Sequence, residues 1–163
     1  MSISAALVQD LFSYNPETGE FTRKARRQGA RVGQVCGSPD SHGYLQIKIN
    51  GRNYFAHRLA WLVVYGEWPK HQIDHIDRNP TNNRIANLRE ATNSQNNHNR
   101  GQQVNNTSGY KGVCWNKRAK RWKAYIKLHG RRTHLGYFNT ADAAHAAYCV
   151  AAQELHGEFA RTS

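Results

Sequence analysis

Cysteine is scarce: Cys36, Cys114 and Cys149 are the three in 163 residues, scattered and with no Cys-x-x-Cys pair. They provide neither a disulfide frame nor a zinc knuckle, and they fit a reducing, cytosolic compartment. Long apolar runs are missing as well, so no stretch is long enough to span a bilayer. The opening MSISAALVQDLF lacks the basic start and apolar stretch of a secretory signal, which points to a soluble chain that is not exported. No internal repeat and no low-complexity tract is found. Acidic residues are the largest shortage: 11 Asp and Glu face 23 Lys and Arg, for a net charge of +12 and a pI near 10.0. That imbalance favours a polyanionic partner, either nucleic acid or an acidic membrane surface. A length of 163 residues accommodates one domain or two small ones.

The texture of the chain divides it in two. Residues 100–108, RGQQVNNTS, have almost no large apolar side chain and read as a linker between a domain at 1–99 and another at 109–163. In the first, AALVQDLF is a short amphipathic helix, and NPETGEF is a turn between short strands. RKARRQGAR is a basic loop. YLQIKIN and GRNYF alternate around Asn50-Gly51, a strong hairpin signal. A helix over Ala56 to Tyr65 should bury Leu59, Leu62 and Val63 and end at Gly66, with Pro69 beyond. His57 and Arg58 open that helix and read as structural, Trp61 and Trp68 read as core, and His71 reads as exposed.

After the linker, GYKGVCWN, RWKAYIKLHG and RRTHLGYF are three strands joined by short polar turns. Asn139 or Thr140 can cap the following helix, ADAAHAAYCVAAQELH, and Gly157 can end it. One face of that helix carries Ala144, Tyr148, Ala151 and Leu155. From residue 101 onward ten Lys and Arg face three acids, so +7 of the +12 sits here, nearly all of it on the strands. In the second strand Trp122, Ala124 and Ile126 should face the helix, and Arg121, Lys123, Tyr125 and Lys127 should face out. A small sheet with one basic face suits the major groove of a duplex.

The densest cluster of signals is residues 72–100, QIDHIDRNPTNNRIANLREATNSQNNHNR. Asparagine is expensive to bury unpaired and weak in helices and strands, so this density asks for a reason. Taken as a strand, Ile73-Asp74-His75-Ile76 points Asp74 and His75 to opposite faces unless a twist or bulge turns them. A carboxylate and an Asn carbonyl suit Mg²⁺ or Mn²⁺, and a neutral imidazole can take a proton from water near neutral pH. Metal-assisted phosphodiester hydrolysis needs those parts. Asp77, Asn79, Asn82 and Asn83 read as caps and turns of the connecting loop.

DHIDRNPTNNRIANLREAT-SQNN resembles the HNH (ββα-metal, His-Me finger) nuclease motif, in the form found in phage and intron-encoded homing endonucleases. YLQIKINGRNYFAHRLAW and YGEWP look like the leader of such phage proteins, so the likeness covers roughly residues 7–100, with a ββα core at about 70–100. By position, the resemblance implies that His75 is the general base and that Asp74 and Asn96 are metal ligands. Asn87 would tie the connecting loop and hold the hairpin in shape; Asn97 or His98 could replace Asn96 if the helix register slips. The cofactor implied is one Mg²⁺ or Mn²⁺, with no small-molecule cofactor and no membrane partner. The products would be a 5′ phosphate and a 3′ hydroxyl.

The second half is similar to the Apetala-two/ERF DNA-binding domain of plant transcription factors, also found fused to HNH nucleases in phages. Tyr-Lys-Gly-Val, the Trp122-x-Ala124-x-Ile126 strand, Leu135-Gly136-x-Phe138 and the Ala-rich helix with Tyr148 carry the likeness. It implies an outward face with Lys111, Arg121, Tyr125, Lys127, Arg132 and His134 in the major groove, Lys123 sharing that face. Cys114 stands where the family usually has Arg, and Tyr125 and His134 replace its usual Glu and Trp, so the plant target sequence does not transfer.

The fold class expected is α+β: an N-terminal ββα-metal HNH nuclease module plus a C-terminal three-stranded antiparallel sheet packed on one helix. The resemblance implies a homing-type phage endonuclease that nicks double-stranded DNA as a monomer, in the bacterial host cytoplasm. A sequence-specific DNA-binding regulator with a purely structural HNH fold is the alternative, and a nuclease of structured RNA is a third reading.

Overall fold

The computed structural model describes residues 3–26, 31–93, 95–96, 106–128 and 131–160. Much of the basic loop and of the linker, together with Asn97, His98 and Arg161, lies outside those residues. The architecture is α+β, and the chain divides into two compact units, Met1–Thr92 and Asn93–Ser163.

The first unit opens with α1 (Ala5–Leu11), whose N-terminus is capped by the Ser4 hydroxyl accepting from the Leu7 N–H at 3.2 Å. β1 (Phe12–Asn15) and β2 (Glu20–Arg23) pair antiparallel, and β3 (Val35–Cys36) adds to β2. The NPETG turn between β1 and β2 is built on Asn15, whose Oδ1 accepts from the N–H groups of Glu17 and Thr18. A second sheet holds β4 (Ser38–Pro39), β5 (Leu45–Ile49) and β6 (Arg52–Phe55). Asn50 and Gly51 join β5 to β6 at φ 48° and 83°, the two left-handed positions a tight hairpin turn needs. The chain then enters α2 (Ala56–Tyr65), closed by Gly66 at φ 78°. This helix buries Leu59 and Leu62; Val63 is only half-buried, because the buried stripe turns toward Ala56 and Ala60 instead.

β7 (Gln72–His75) and β8 (Leu88–Ala91) form an antiparallel pair that sets Asp74 opposite Arg89 and His75 opposite Leu88. Ile73 and Leu88 anchor the pair in the core made by Val8, Phe12, Phe21, Ile47, Ile49, Leu59 and Leu62. Trp61 and Trp68 pack half-buried against that core, and His71 is exposed. Asn93, Gln95 and Asn96 take helical backbone after β8.

In the second unit β9 (Val113–Asn116), β10 (Arg121–Leu128) and β11 (Arg131–Phe138) form an antiparallel sheet in the order β11-β10-β9, followed by α3 (Ala141–His156). Thr140 caps α3, its hydroxyl accepting from the Ala143 N–H at 3.1 Å. Ala124 and Ile126 are buried against Ala144, Tyr148 and Ala152. The expected helix face is thus corrected at its end: Leu155 is 42% exposed, Ala151 is half-buried, and Ala152 with Ala160 completes the packing near Ile126. Gly112 meets that helix closely, since a Cβ there would lie 2.3 Å from Tyr148 Cδ2 and 2.6 Å from the Tyr125 carbonyl oxygen.

Candidate active site and sheet face

Asp74 and His75 end β7 and are both 5% exposed, unusual for polar residues in consecutive strand positions. The register from Gln72 to His75 is unbroken, so no bulge turns the strand here. Each side chain instead has its own partner. Asp74 Oδ2 accepts from Arg89 Nε at 3.0 Å and Nη2 at 2.9 Å, a paired arrangement across the strands. His75 Nε2 lies 3.1 Å from Asn83 Oδ1.

The Asn83 orientation matches one tautomer of the histidine. Asn83 is fully buried, and its Nδ2 donates to the Thr81 carbonyl at 3.3 Å, which leaves Oδ1 to face the imidazole. Oδ1 can only accept, so Nε2 carries the proton and Nδ1 is the basic nitrogen of neutral His75. Asn83 is in turn fixed from β1: the Tyr14 hydroxyl donates to its carbonyl oxygen at 2.8 Å. Burial pushes Tyr14 up to about 12, so it remains a donor at neutral pH. Gly19 allows the same approach, because a Cβ there would stand 2.5 Å from the Asn83 carbonyl carbon and 2.4 Å from the Arg84 nitrogen.

Aromatic rings enclose the histidine. The His57 ring lies 5.1 Å from that of His75 at 84°, and Tyr44 lies 5.8 Å away at 45°. Phe55 stacks on His57 at 5.3 Å and 14°. Burial lowers His75 below its ordinary 6.5, with the Asn83 hydrogen bond and the charges of Asp77 and Asp74 pulling it back up. His57 is pushed down to about 3, first by burial and then by His75 and Arg58, and its Nδ1 is buried without a hydrogen-bond partner among the described residues. Both imidazoles are therefore neutral at pH 7.

The asparagines of the connecting loop have one centre, Asp77. Its carboxylate accepts from the Asn79 N–H at 2.8 Å, Asn82 Nδ2 at 2.6 Å and Asn87 Nδ2 at 2.9 Å. Burial opposes the charge on Asp77, but these three bonds outweigh it and hold the carboxyl below its ordinary 3.8. Asn87 does more. Its Oδ1 accepts from the Asp77 N–H at 3.0 Å, its Nδ2 also donates to the Asn82 carbonyl, and its own carbonyl accepts from the Ile76 N–H at 2.9 Å. Asn87 stitches the two ends of the loop together and does not touch the His75 ring among the described contacts.

Asn96 is helical and half-buried. Among the described residues no group of three or more His, Cys, Asp and Glu side chains is gathered to hold a metal ion. The donor chemistry still fits a hard divalent cation: Asp74 and an Asn carbonyl are oxygen ligands, and Mg²⁺ commonly keeps one or two protein oxygens beside water and phosphate. Arg89 already occupies Asp74 Oδ2, a partner the sequence reading missed. The strand register carries that signal, since Asp-His and Leu-Arg pair antiparallel only if Asp74 meets Arg89. Asn83 is likewise more than a turn residue: it is buried against His75, a placement with no local sequence signature.

On the second unit's sheet, Arg121, Lys123, Tyr125 and Lys127 alternate with the buried Ala124 and Ile126, facing away from α3. A bulge between Ala124 and Tyr125 pairs Ala124 with Gly136 but Tyr125 with His134, skipping Leu135. It brings His134, Arg132 and Tyr137 onto one face: the His134 and Tyr137 rings are 4.7 Å apart, and the Arg132 guanidinium lies 5.0 Å over the Tyr125 ring. Lys127 pairs with Arg132, and Lys123 with Tyr137 and Cys114. Lys111 precedes β9, is half-buried, and is not part of this ladder.

Comparison with known proteins gives two family matches. Residues 54–98 match the model of the HNH endonuclease family, and residues 108–158 match that of the AP2 domain. Protein 3.8 of Escherichia phage T7 is 35% identical over 108 residues, covering 64% of this chain and 87% of that protein. An uncharacterized HNH endonuclease of Acanthamoeba polyphaga mimivirus is 34% identical over 106 residues, covering 64% of this chain and 54% of the relative. The chain thus spans about half the length of the mimivirus protein. No solved structure matches.

Proposed function

The chain belongs to the HNH endonuclease family and carries an AP2 domain, and on that premise we propose that it is a metal-dependent endonuclease that nicks duplex DNA. The observation that supports the reading is the buried hydrogen bond between His75 Nε2 and Asn83 Oδ1, which with the proton on Nε2 makes Nδ1 the basic nitrogen. Nδ1 of His75 accepts a proton from water as the water oxygen bonds to phosphorus. The bond from phosphorus to the 3′ oxygen breaks, and that oxygen takes a proton from solvent water, leaving a 5′ phosphate and a 3′ hydroxyl. Asn83 holds the imidazole plane, and Asn87 with Asp77 keeps the loop that carries Asn83 in shape. In the first unit Asp74 is the residue that would hold Mg²⁺ or Mn²⁺, and the bound ion would supply charge stabilisation at the phosphoryl and leaving oxygens.

The basic sheet face, with Arg121, Lys123, Tyr125, Lys127, Arg132 and His134, would place the nuclease on the duplex; Lys111 would contribute from beside β9. One catalytic unit per chain makes a nick the simplest product of a monomer. Supercoiled plasmid tests the reading: Mg²⁺ or Mn²⁺ should yield open circles with 5′ phosphate ends, and EDTA should stop the conversion. Unchanged plasmid in both metals would refute it and leave the DNA-binding regulator as the better account.

A further inference from the structure

Asn50, Arg78 and Lys120 are the non-glycine residues with positive φ among the described residues, at 48°, 67° and 49°. Asn50 belongs to an Asn-Gly turn, where a short amide side chain suits that conformation. Arg78 has no such excuse: the left-handed region crowds its Cβ against the following carbonyl, and glycine or asparagine would fit the turn more comfortably. It stands three positions after His75, and its N–H donates to the His75 carbonyl at 2.9 Å. The strained residue is therefore mounted directly on the strand end that carries the base.

Its side chain is exposed and makes no hydrogen bond or ion pair with the described residues. The carboxylate beside it in sequence, Asp77, accepts instead from the Asn79, Asn82 and Asn87 donors. Two other arginines of this unit are used inside the fold, Arg58 on the carbonyls of His71 and Pro69 and Arg89 on Asp74. The loop amides thus occupy the Asp77 carboxylate as acceptor partners, and the Arg78 guanidinium donors meet no partner among the described residues. Strain of this kind persists where a side chain is needed at one place.

We propose that Arg78 is a substrate-binding residue of the nuclease loop that contacts a DNA backbone phosphate beside the cleaved bond, an inference that rests on the nuclease reading above. Its planar fork of donors matches two phosphate oxygens, which a lysine can meet only as a point charge.

The full chain tests this with Arg78→Gly and Arg78→Lys, read by melting temperature, single-turnover cleavage, and duplex affinity across a salt series in EDTA. Arg78→Gly should melt at or above the wild-type temperature, because it relieves the strained backbone. It should cleave roughly ten- to a hundredfold more slowly, the worth of one charge-assisted hydrogen bond. Its plot of log affinity against log salt should be shallower by about one unit. Arg78→Lys should keep the wild-type slope and recover part of the rate. Wild-type rate and slope in Arg78→Gly would overturn the proposal, and so would a glycine variant that is destabilised with an unchanged slope. If wild type itself cuts nothing, the nuclease reading fails, and the salt slope still decides whether Arg78 meets a phosphate.

Discussion

As the proposed base, His75 would have to meet two demands that conflict in most proteins: burial, which fixes its ring, and basicity, which burial weakens. Asn83 reconciles them by accepting from Nε2, an interaction that fixes the tautomer and partly restores the affinity for a proton. Asn83→Ala should therefore slow turnover by roughly 10–100-fold, as loss of an outer partner of a functional histidine does. The KM should be little changed; a fall in affinity with unchanged turnover would argue that Asn83 is only a loop residue. The same geometry sets a pH profile. With His75 as the base, activity would need its neutral form, whose pKa lies below 6.5, so the rate should hold as pH drops past 6.5 and fall only as pH passes the lowered value. Removing the Asn83 bond takes away a contribution that raises that pKa, so the acid limb of Asn83→Ala should move to lower pH. Buried His57 acts on stability in the same direction. Its folded pKa of about 3 lies below the unfolded 6.5, so the unfolded chain takes up the proton first and stability is lost as pH falls from 6.5 toward 3. A His57→Phe chain should show a flatter melting profile in that window, and an identical one would remove His57 as the cause.

Elements that depend on local rules were legible in the sequence: the Asn-Gly hairpin, α2 ending at Gly66, the Thr140 cap, and the three strands of the second unit. What escaped depends on the register between strands or on distant packing. Simple alternation along β11 puts His134 and Tyr137 on opposite faces; the skipped Leu135 unites them, and no residue type announces that bulge. Asn83 is similar, since it becomes a partner of His75 only once β1 and the Gly19 turn press on the loop. Among the candidate residues, His75, Asp74 and Asn87 were visible as a motif, and Asn87 as the tie of the connecting loop; that Asn83 meets the His75 ring was not. The close approach of α3 to the sheet gives a stability test. Gly112→Ala would drive a Cβ into the Tyr148 ring at a φ of 72°, and overpacking of this kind typically costs about 1–3 kcal/mol. Thermal unfolding of that variant should show the loss, and an unchanged melting curve would mean that Tyr148 can move aside freely. On the outer face, Arg132→Ala should cost about 1–3 kcal/mol of binding on the preferred duplex if the side chain reads a base. A phosphate contact would instead weaken binding to every sequence alike.

The two compact units and the uneven charge suggest a division of labour for the whole chain. Nine Lys and Arg lie between Lys111 and Arg132 with no acid among them, so the second unit alone should hold duplex DNA strongly at low salt and lose it steeply as salt rises. Residues 1–105 should still nick, weakly and with little site preference, while residues 106–163 should bind without cutting. Binding carried wholly by the first fragment would contradict that assignment. The central claim, however, is that His75 performs the chemistry. It is tested most directly by single-turnover cleavage of a supercoiled plasmid in Mg²⁺ by wild type and His75→Ala, at protein concentrations that saturate the DNA. Loss of the base should lower the rate by roughly 10²–10⁴-fold, with folding and DNA affinity preserved. A His75→Ala chain that binds DNA normally and nicks at the wild-type rate would contradict the account.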